Sequence, residues 1–113
     1  MLLHHVSYPV RDVQESASFY ENLFKLERLP RPPFSIPGVW LGCDDRQIHL
    51  VLNEAGTYRT TRSPDIADVH FAFCTDDFEE MVERLEAAGF SIHALEQTHR
   101  LPVGLLQRER IVI

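Results

Sequence analysis

Cysteine, basic residues and long apolar runs are all scarce in this sequence. The two cysteines among 113 residues, Cys43 and Cys74, show no CxxC spacing, so neither a disulfide framework nor a dithiol motif is indicated. Eleven lysines and arginines against 17 acidic residues give a net charge of −6, which argues against nucleic acid or an anionic membrane as the main partner. The start, MLLHHVSYPV, has no basic leader and no apolar stretch long enough to export or span. We therefore expect a cytoplasmic protein with reduced thiols.

The composition that remains is that of an ordinary globular domain. Hydrophobic residues make up 44% of the chain and charged residues 25%, and 113 residues are enough for one domain with a real core. One local feature is unusual. His49 lies in QIHLVLN, where a strand would normally place another aliphatic side chain. A titratable ring inside an apolar strand needs a structural or functional reason.

Strand and helix signals alternate along the first half of the chain. Residues 3–10 predict a short strand, and residues 11–24 predict a helix whose N-cap is Asp12, with Glu15 three residues later. Four prolines within residues 30–38 exclude a helix there and predict an extended, stiff loop. VWLGC and QIHLVLN then predict two strands joined by the turn-forming DDR.

The second half of the chain repeats the first. After a polar linker, VHFAFC predicts a strand, DDFEEMVERLEAAG a helix, and FSIHAL and QRERIVI two further strands. Setting His70 against His5 also sets Asp77 against Asp12 and brings the two helices into phase, which indicates two copies of one module. The predicted boundaries are module one at 1–54, a linker at 55–67 and module two at 68–113.

Three histidines belong to the less apolar faces of their predicted strands. Side chains alternate between the two faces of a strand, so His5 shares a face with Ser7, and His49 shares a face with Gln47. His70 likewise falls on the less apolar face of VHFAFC. The aliphatic faces opposite can pack against helices, so we expect His49 to point away from the helix-packed core.

Three segments, in order and spacing, resemble the vicinal oxygen chelate superfamily, which includes glyoxalase I, bleomycin-resistance proteins, fosfomycin-resistance enzymes and extradiol dioxygenases. These segments are LHHVSYPVRDVQESASFYENLFKLE, PGVWLGCDDRQIHLVLNE and DVHFAFCTDDFEEMVERLEAAGF. The resemblance implies an α+β fold of two tandem βαβββ modules whose curved sheets enclose a metal site. The second module would lack its last strand. One departure is Phe24, where the family usually has glycine.

The same resemblance implies a set of metal ligands. The first-strand ligands of the two modules fall on His5 and His70, and the fourth-strand ligand of module one falls on His49, where relatives often have glutamate. The implied cofactor is a divalent transition metal (Fe, Ni, Zn, Co or Mn), because ligand type alone does not choose among imidazole-binding metals. No catalytic residue is assigned, since a glutamate that serves as base in glyoxalase I relatives is replaced by His49 in module one and is absent from module two.

Two functions from different classes follow from this resemblance. The first is a metal-dependent lyase, isomerase or dioxygenase whose small substrate chelates the metal through two adjacent oxygens. The alternative is a non-catalytic small-molecule (antibiotic) binding protein of the bleomycin-resistance type. The resemblance also implies a homodimer. His4, His93 and His99 are interpreted as structural or solvent-exposed, and Trp40 and Phe34 either line an apolar pocket or fill the core.

Overall fold

A computed structural model describes residues 1–56, 58, 70–90 and 110–111 of the chain. The chain divides into two compact units, Met1–Tyr58 and Arg59–Ile113. Neither helix in the described residues has both the length and the apolar character needed to cross a membrane. The module boundaries predicted from the sequence stay a prediction, and most of the linker lies outside the described ranges.

The first unit is built on a four-stranded sheet. Its strands are β1 (His5–Val10), β2 (Glu27–Leu29), β3 (Gly38–Cys43) and β4 (Arg46–Leu52). Their order in the sheet is β1-β4-β3-β2, with β1 parallel to β4 and the other neighbours antiparallel. The first and last strands of the unit are therefore direct neighbours, and each of them carries one of the predicted histidines.

The helix α1 (Val13–Phe24) follows β1 and begins where the sequence predicted. The carboxylate of Asp12 accepts a hydrogen bond from the backbone N–H of Glu15 at 2.8 Å, which confirms the predicted N-cap. Lys25 ends the helix in the left-handed conformation, with φ of 56°. The buried side of the helix carries small and aliphatic residues, namely Val13, Ala17 and Leu23.

The core of the first unit lies where α1 packs against β3 and β4. The buried aliphatic residues of β3 and β4 are Val39, Leu41, Ile48 and Leu50, of which Leu41 and Leu50 are fully buried. Burying each leucine stabilises the fold by roughly 2 kcal/mol. Because side chains alternate along a strand, this core fixes the orientation of the opposite sheet face, where His49 and Trp40 lie.

The second unit contains β5 (Phe73–Cys74), the helix α2 (Phe78–Ala87) and β6 (Arg110–Ile111). β5 and β6 pair in antiparallel fashion. The Asp77 carboxylate accepts a hydrogen bond from the Glu80 backbone N–H at 2.9 Å, so the predicted cap is confirmed here too. The strand expected from VHFAFC is shorter in the structure. FSIHAL lies outside the described residues.

The helical spacing of Phe78, Met81, Val82, Leu85 and Ala88 predicts an apolar stripe on α2, and this stripe is buried only in part. Leu85 is buried, whereas Phe78, which was expected to be buried, is 38% exposed. Phe78 is the first residue of the helix, and helical side chains tilt toward the N-terminus, so its ring extends past the end of the helix. Met81 and Val82 are half-buried, whereas Phe78 and Ala88, at the two ends of the predicted stripe, are exposed.

The close approach of β3 to β4 gives a test of the sheet. A Cβ added at Gly38 would lie 2.6 Å from the backbone oxygen of Leu50, whereas a Cβ at Gly42 would first meet the Leu29 side chain at 3.3 Å. Backbone cannot yield as a side-chain end can, so Gly38→Ala should lower the free energy of unfolding by about 1–3 kcal/mol. Urea unfolding followed by the fluorescence of Trp40 measures this. Gly42→Ala is the matched control, and an equal loss in both variants would contradict the argument.

Candidate functional site

Three aromatic rings lie face to face on the sheet surface opposite α1. The register of β1, β4 and β3 places Ser7 and Trp40 on either side of His49. The His49 ring stacks on Trp40 with 4.3 Å between ring centroids and 10° between planes. Its other face stacks on His5, with 4.1 Å and 11°. His49 is therefore only 7% exposed, although it does not point into the aliphatic core.

Each histidine of the stack has one ring nitrogen in contact with a neighbouring polar group. His49 Nε2 lies 2.8 Å from Gln47 Oε1, and His5 Nδ1 lies 3.0 Å from His4 Nδ1. Gln47 belongs to the same strand face as His49, two residues earlier. The rings of His4 and His5 meet edge to face. Two imidazoles thus lie side by side, one buried and the other exposed.

The surroundings of His49 favour its neutral form. Burial lowers the pKa of His49 below its usual value of 6.5, and the nearby charges of His5, His4 and Arg31 lower it further. Desolvation penalises the imidazolium, and each charged neighbour is a potential cation. The neutral ring is the form that ligates a metal. Among the described neighbours that act on this pKa, Arg31 is the permanently charged group, so a fixed positive charge lies near His49 in a chain whose net charge is −6.

The proline-rich loop before β3 brings a guanidinium to this region. Arg31 Nη2 donates a hydrogen bond to the Ile36 carbonyl at 2.7 Å, and the guanidinium lies over the Phe34 ring at 5.0 Å from its centroid. Phe34 in turn lies 6.1 Å from Trp40. Arg31 Nε is buried and has no hydrogen-bond partner among the described residues. A row of contacts therefore runs from Arg31 through Phe34 and Trp40 to His49.

A second concave surface lies on the opposite side of β1. It has a volume of about 430 Å³ and is lined mainly by aromatic and charged side chains from β1 and α1. Burial, together with Tyr8, raises the pKa of Tyr20 there. The Arg11 guanidinium lies 4.3 Å from the centroid of the Tyr58 ring at the same place. None of the predicted ligand histidines lines this surface.

Two of the three predicted ligands belong to the first unit and are neighbours there. His5 and His49 are neighbours in the first unit, whereas His70 is an exposed residue of the second unit that precedes β5. Across the described ranges, no group of three or more histidine, cysteine or acidic side chains is arranged to hold a metal ion. The assignment of His5, His49 and His70 as ligands stays a prediction.

The His5–His49 pair fits one metal ion after a small rearrangement. With a metal–nitrogen distance of about 2.1 Å, two imidazoles on one ion have centroids separated by roughly 4.5–5 Å, and their ring planes converge on the ion. The stacked rings are closer, at 4.1 Å, and nearly parallel. His5 is exposed and can turn, while His49 is held on one face by Trp40 and at Nε2 by Gln47. The donor chemistry suits a divalent transition metal.

Sequence reasoning missed the residues that surround the two histidines. Gln47 was placed on the correct face but given no role, and His4 was treated as structural. The signal for Gln47 was its position two residues before His49 on one strand face. No comparable signal indicated Arg31, because a loop with four prolines does not reveal which atoms its guanidinium will meet.

Comparison with known proteins agrees with the fold. The family model of the Glyoxalase/Bleomycin resistance protein/Dioxygenase superfamily matches residues 2–101. The chain belongs to this superfamily. The fold class predicted from the sequence, α+β of the glyoxalase type, is thereby confirmed.

Individual members of the superfamily resemble the chain at different levels. The chain is 32% identical over 90 residues to the glutathione transferase FosA of Serratia marcescens. The match covers 80% of this chain and 62% of the length of that protein. A lactoylglutathione lyase from Agrobacterium tumefaciens has a similar fold, with a TM-score of 0.60 and 23% identity over 91% of this chain and 79% of the other. The fosfomycin resistance protein FosX of Listeria monocytogenes also has a similar fold, with a TM-score of 0.59 and 19% identity. The match covers 80% of this chain and 67% of the other.

The lowered pKa of His49 predicts how the stability of the metal-free protein depends on pH. In the unfolded chain His49 has its usual pKa of 6.5. As the pH falls below this value, the unfolded chain therefore binds a proton at His49 before the folded chain does. The free energy of unfolding should therefore fall as the pH decreases through about 6.5 and stop falling below the folded pKa. His49→Phe keeps a ring between His5 and Trp40 but cannot take up a proton, so it should flatten this part of the profile.

Urea unfolding between pH 8 and pH 5 in the presence of a chelator measures the effect. Trp40 fluorescence reports on the first unit, since the chain has one tryptophan. His70→Leu, in the second unit, controls for the loss of any histidine. A wild-type profile that stays flat through this range, or one that His49→Phe leaves unchanged, would contradict the assignment.

Proposed function

We propose that this chain is a metal-dependent enzyme of the glyoxalase/dioxygenase type that acts on a small substrate with two adjacent oxygens. His5 and His49 hold the divalent transition metal, and His70 of the second unit is the third ligand in this proposal. The observation that carries it is the pair of neighbouring imidazoles, 4.1 Å apart, on the open face of the sheet. Membership of a superfamily that includes a lyase and a transferase supports it.

The metal would act as a Lewis acid that stabilises negative charge developing on substrate oxygens. The chain's own residues have separate tasks. His49 stays neutral and fixed because it is buried between two rings, which makes it the rigid donor of the pair. His5 is exposed and can adjust its ring. Trp40 covers one side of His49 and keeps water from that face.

The electrostatics of the site favour an anionic substrate. The Arg31 guanidinium supplies a fixed positive charge near His49, and a bound metal ion would add to the same sign. A carboxylate, enolate, phosphonate or similar oxyanion is attracted to such a place, even though the whole chain is acidic. This argues against a cationic ligand, which the net charge of −6 alone would have favoured.

The aromatic side of the site offers a surface for the rest of the substrate. Phe34 is 56% exposed and lies 6.1 Å from Trp40, so an apolar portion of a ligand can contact it. A non-catalytic small-molecule binding protein of the bleomycin-resistance type would use the same surface. The binding protein is therefore the second candidate function. The two candidates differ in that the enzyme requires a metal ion and the binding protein does not.

A homodimer and a cytoplasmic location complete the proposal. The resemblance suggests that His70 of one chain joins His5 and His49 of a second copy. Size-exclusion chromatography with light scattering tests the dimer directly. A monomer that still binds one metal per chain would remove the dimer from the proposal and leave the metal site intact.

Metal content decides between the two candidates. We expect about one transition metal per chain in untagged, dialysed protein, because imidazole ligands retain such metals. His49→Ala should lower bound metal several-fold without unfolding the protein. His93→Ala, at a position that matches no ligand, is the control. Plasma mass spectrometry gives the ratio, and no metal even after reconstitution would overturn the enzyme proposal.

Substrates suggested by the named relatives come next. Metal-loaded protein should transform fosfomycin in the presence of glutathione, or a glutathione adduct of the kind that a lactoylglutathione lyase acts on, and a chelator should abolish the activity. Product formation by mass spectrometry is the measurement, with His49→Ala as the inactive control. Metal-independent binding of these compounds without turnover would support the binding protein instead.

A further inference from the structure

Each histidine of the stacked pair has one ring nitrogen occupied and one left open. His49 Nε2 is held by Gln47 Oε1 at 2.8 Å, and His5 Nδ1 is held by His4 Nδ1 at 3.0 Å. Within the part of the chain that the structure describes, the nitrogens without such a contact are therefore Nδ1 on His49 and Nε2 on His5. They are different atoms of the two rings, so the pair is not symmetrical.

The contact of His49 fixes its tautomer. An amide oxygen can only accept a hydrogen bond, so His49 Nε2 must carry the hydrogen and donate it to Gln47 Oε1. A neutral imidazole has one N–H, which leaves Nδ1 of His49 with the lone pair. Burial reinforces the contact, because a buried imidazole N–H without an acceptor would cost about 1–3 kcal/mol.

The contact of His5 differs, because the partner nitrogen of His4 can either donate or accept a hydrogen bond. Between two Nδ1 atoms at 3.0 Å, one carries the hydrogen and the other accepts it. If His4 donates, the lone pair of His5 is on Nδ1 and is taken up by that hydrogen bond; if His5 donates, its lone pair is on Nε2 and is free to bind a metal. His4 is then the acceptor, with its own hydrogen on Nε2.

We propose that Gln47 and His4 are positioning residues that leave Nδ1 of His49 and Nε2 of His5 as the two metal-binding atoms. The role in metal binding rests on the proposed function. The tautomer of His49 does not, because it follows from the hydrogen bond alone. Partners of this kind fix the orientation of a ligand ring and increase its basicity.

The sheet register explains why Gln47 can do this for His49. Gln47 is the direct partner of His5 across the β1–β4 pair, and it shares a strand face with His49. The Gln47 side chain therefore starts from the position paired with the exposed His5 and reaches the buried ring of His49. His49 itself has little freedom to turn away, since both of its ring faces are covered.

Three variants test the proposal. Gln47→Leu removes the acceptor, Gln47→Glu keeps an acceptor that cannot donate, and Gln14→Leu is the matched control. Gln14 lies on α1, where its side-chain oxygen accepts a hydrogen bond from Arg28. Nitrogen-15 NMR of the histidine rings in metal-free protein at pH 8 reports which nitrogen carries the hydrogen. Titration with Ni²⁺, followed by quenching of Trp40 fluorescence, reports the affinity.

We expect the Nε2–H tautomer of His49 in the wild type, in Gln47→Glu and in Gln14→Leu. Gln47→Leu should lower the Ni²⁺ affinity about tenfold or more, as loss of such a partner typically does, and Gln47→Glu should retain it. His4→Leu should also weaken binding, by a smaller factor because the contact is exposed. The rescue by glutamate distinguishes positioning from simple packing.

Two results would overturn the proposal. One is an Nδ1–H tautomer of His49 in the wild type, and the other is equal Ni²⁺ affinity in Gln47→Leu and Gln14→Leu. Failure of the wild type to bind any metal would instead count against the proposed function and remove the metal-binding role of both residues. The NMR experiment would still decide the tautomer of His49.

Discussion

The stack of His49 between His5 and Trp40 is the contact on which the rest of the site depends. It joins three neighbouring strands, so it exists only in the observed register of β1, β4 and β3. A slip of β4 by one residue would turn His49 toward α1 and expose Leu50. The aliphatic core that excludes this slip, with Leu41 and Leu50 fully buried, therefore also determines where the imidazoles meet.

Much of this arrangement could be predicted from local sequence. Asp12 and Asp77 identify the starts of both helices because an N-cap acts through its immediate neighbours. Alternation along β1 and β4 identifies the faces of His5 and His49, since it depends only on strand geometry. The repeat of the two halves indicated two copies of one module, and the resemblance to the superfamily implied the topology of each copy.

What could not be predicted lies in side-chain contacts between strands and loops. Alternation gives the face of His49 but not its rotamer, so the stacking on Trp40 and the contact with Gln47 do not follow from it. The position of Arg31 depends on the path of a loop whose prolines fix its stiffness but not its direction. Phe78 on α2 is a further example. Helical periodicity predicts which face of α2 is apolar, but it does not predict how far along the helix that face is buried.

The cationic surroundings of His49 connect the proposed metal and the proposed substrate. Among the described residues that act on this imidazole, Arg31 is the permanently charged group, so a divalent ion placed here meets repulsion from the guanidinium as well as two good donors. An oxyanion bound at the same time offsets that repulsion, and the metal in turn strengthens the attraction for the oxyanion. Each ligand should therefore bind more tightly in the presence of the other, and by linkage the two effects must be equal in size. A site of this kind selects for substrates that carry negatively charged oxygens. A glutamate ligand in place of His49 would itself supply negative charge to the metal, so a negatively charged substrate would matter less.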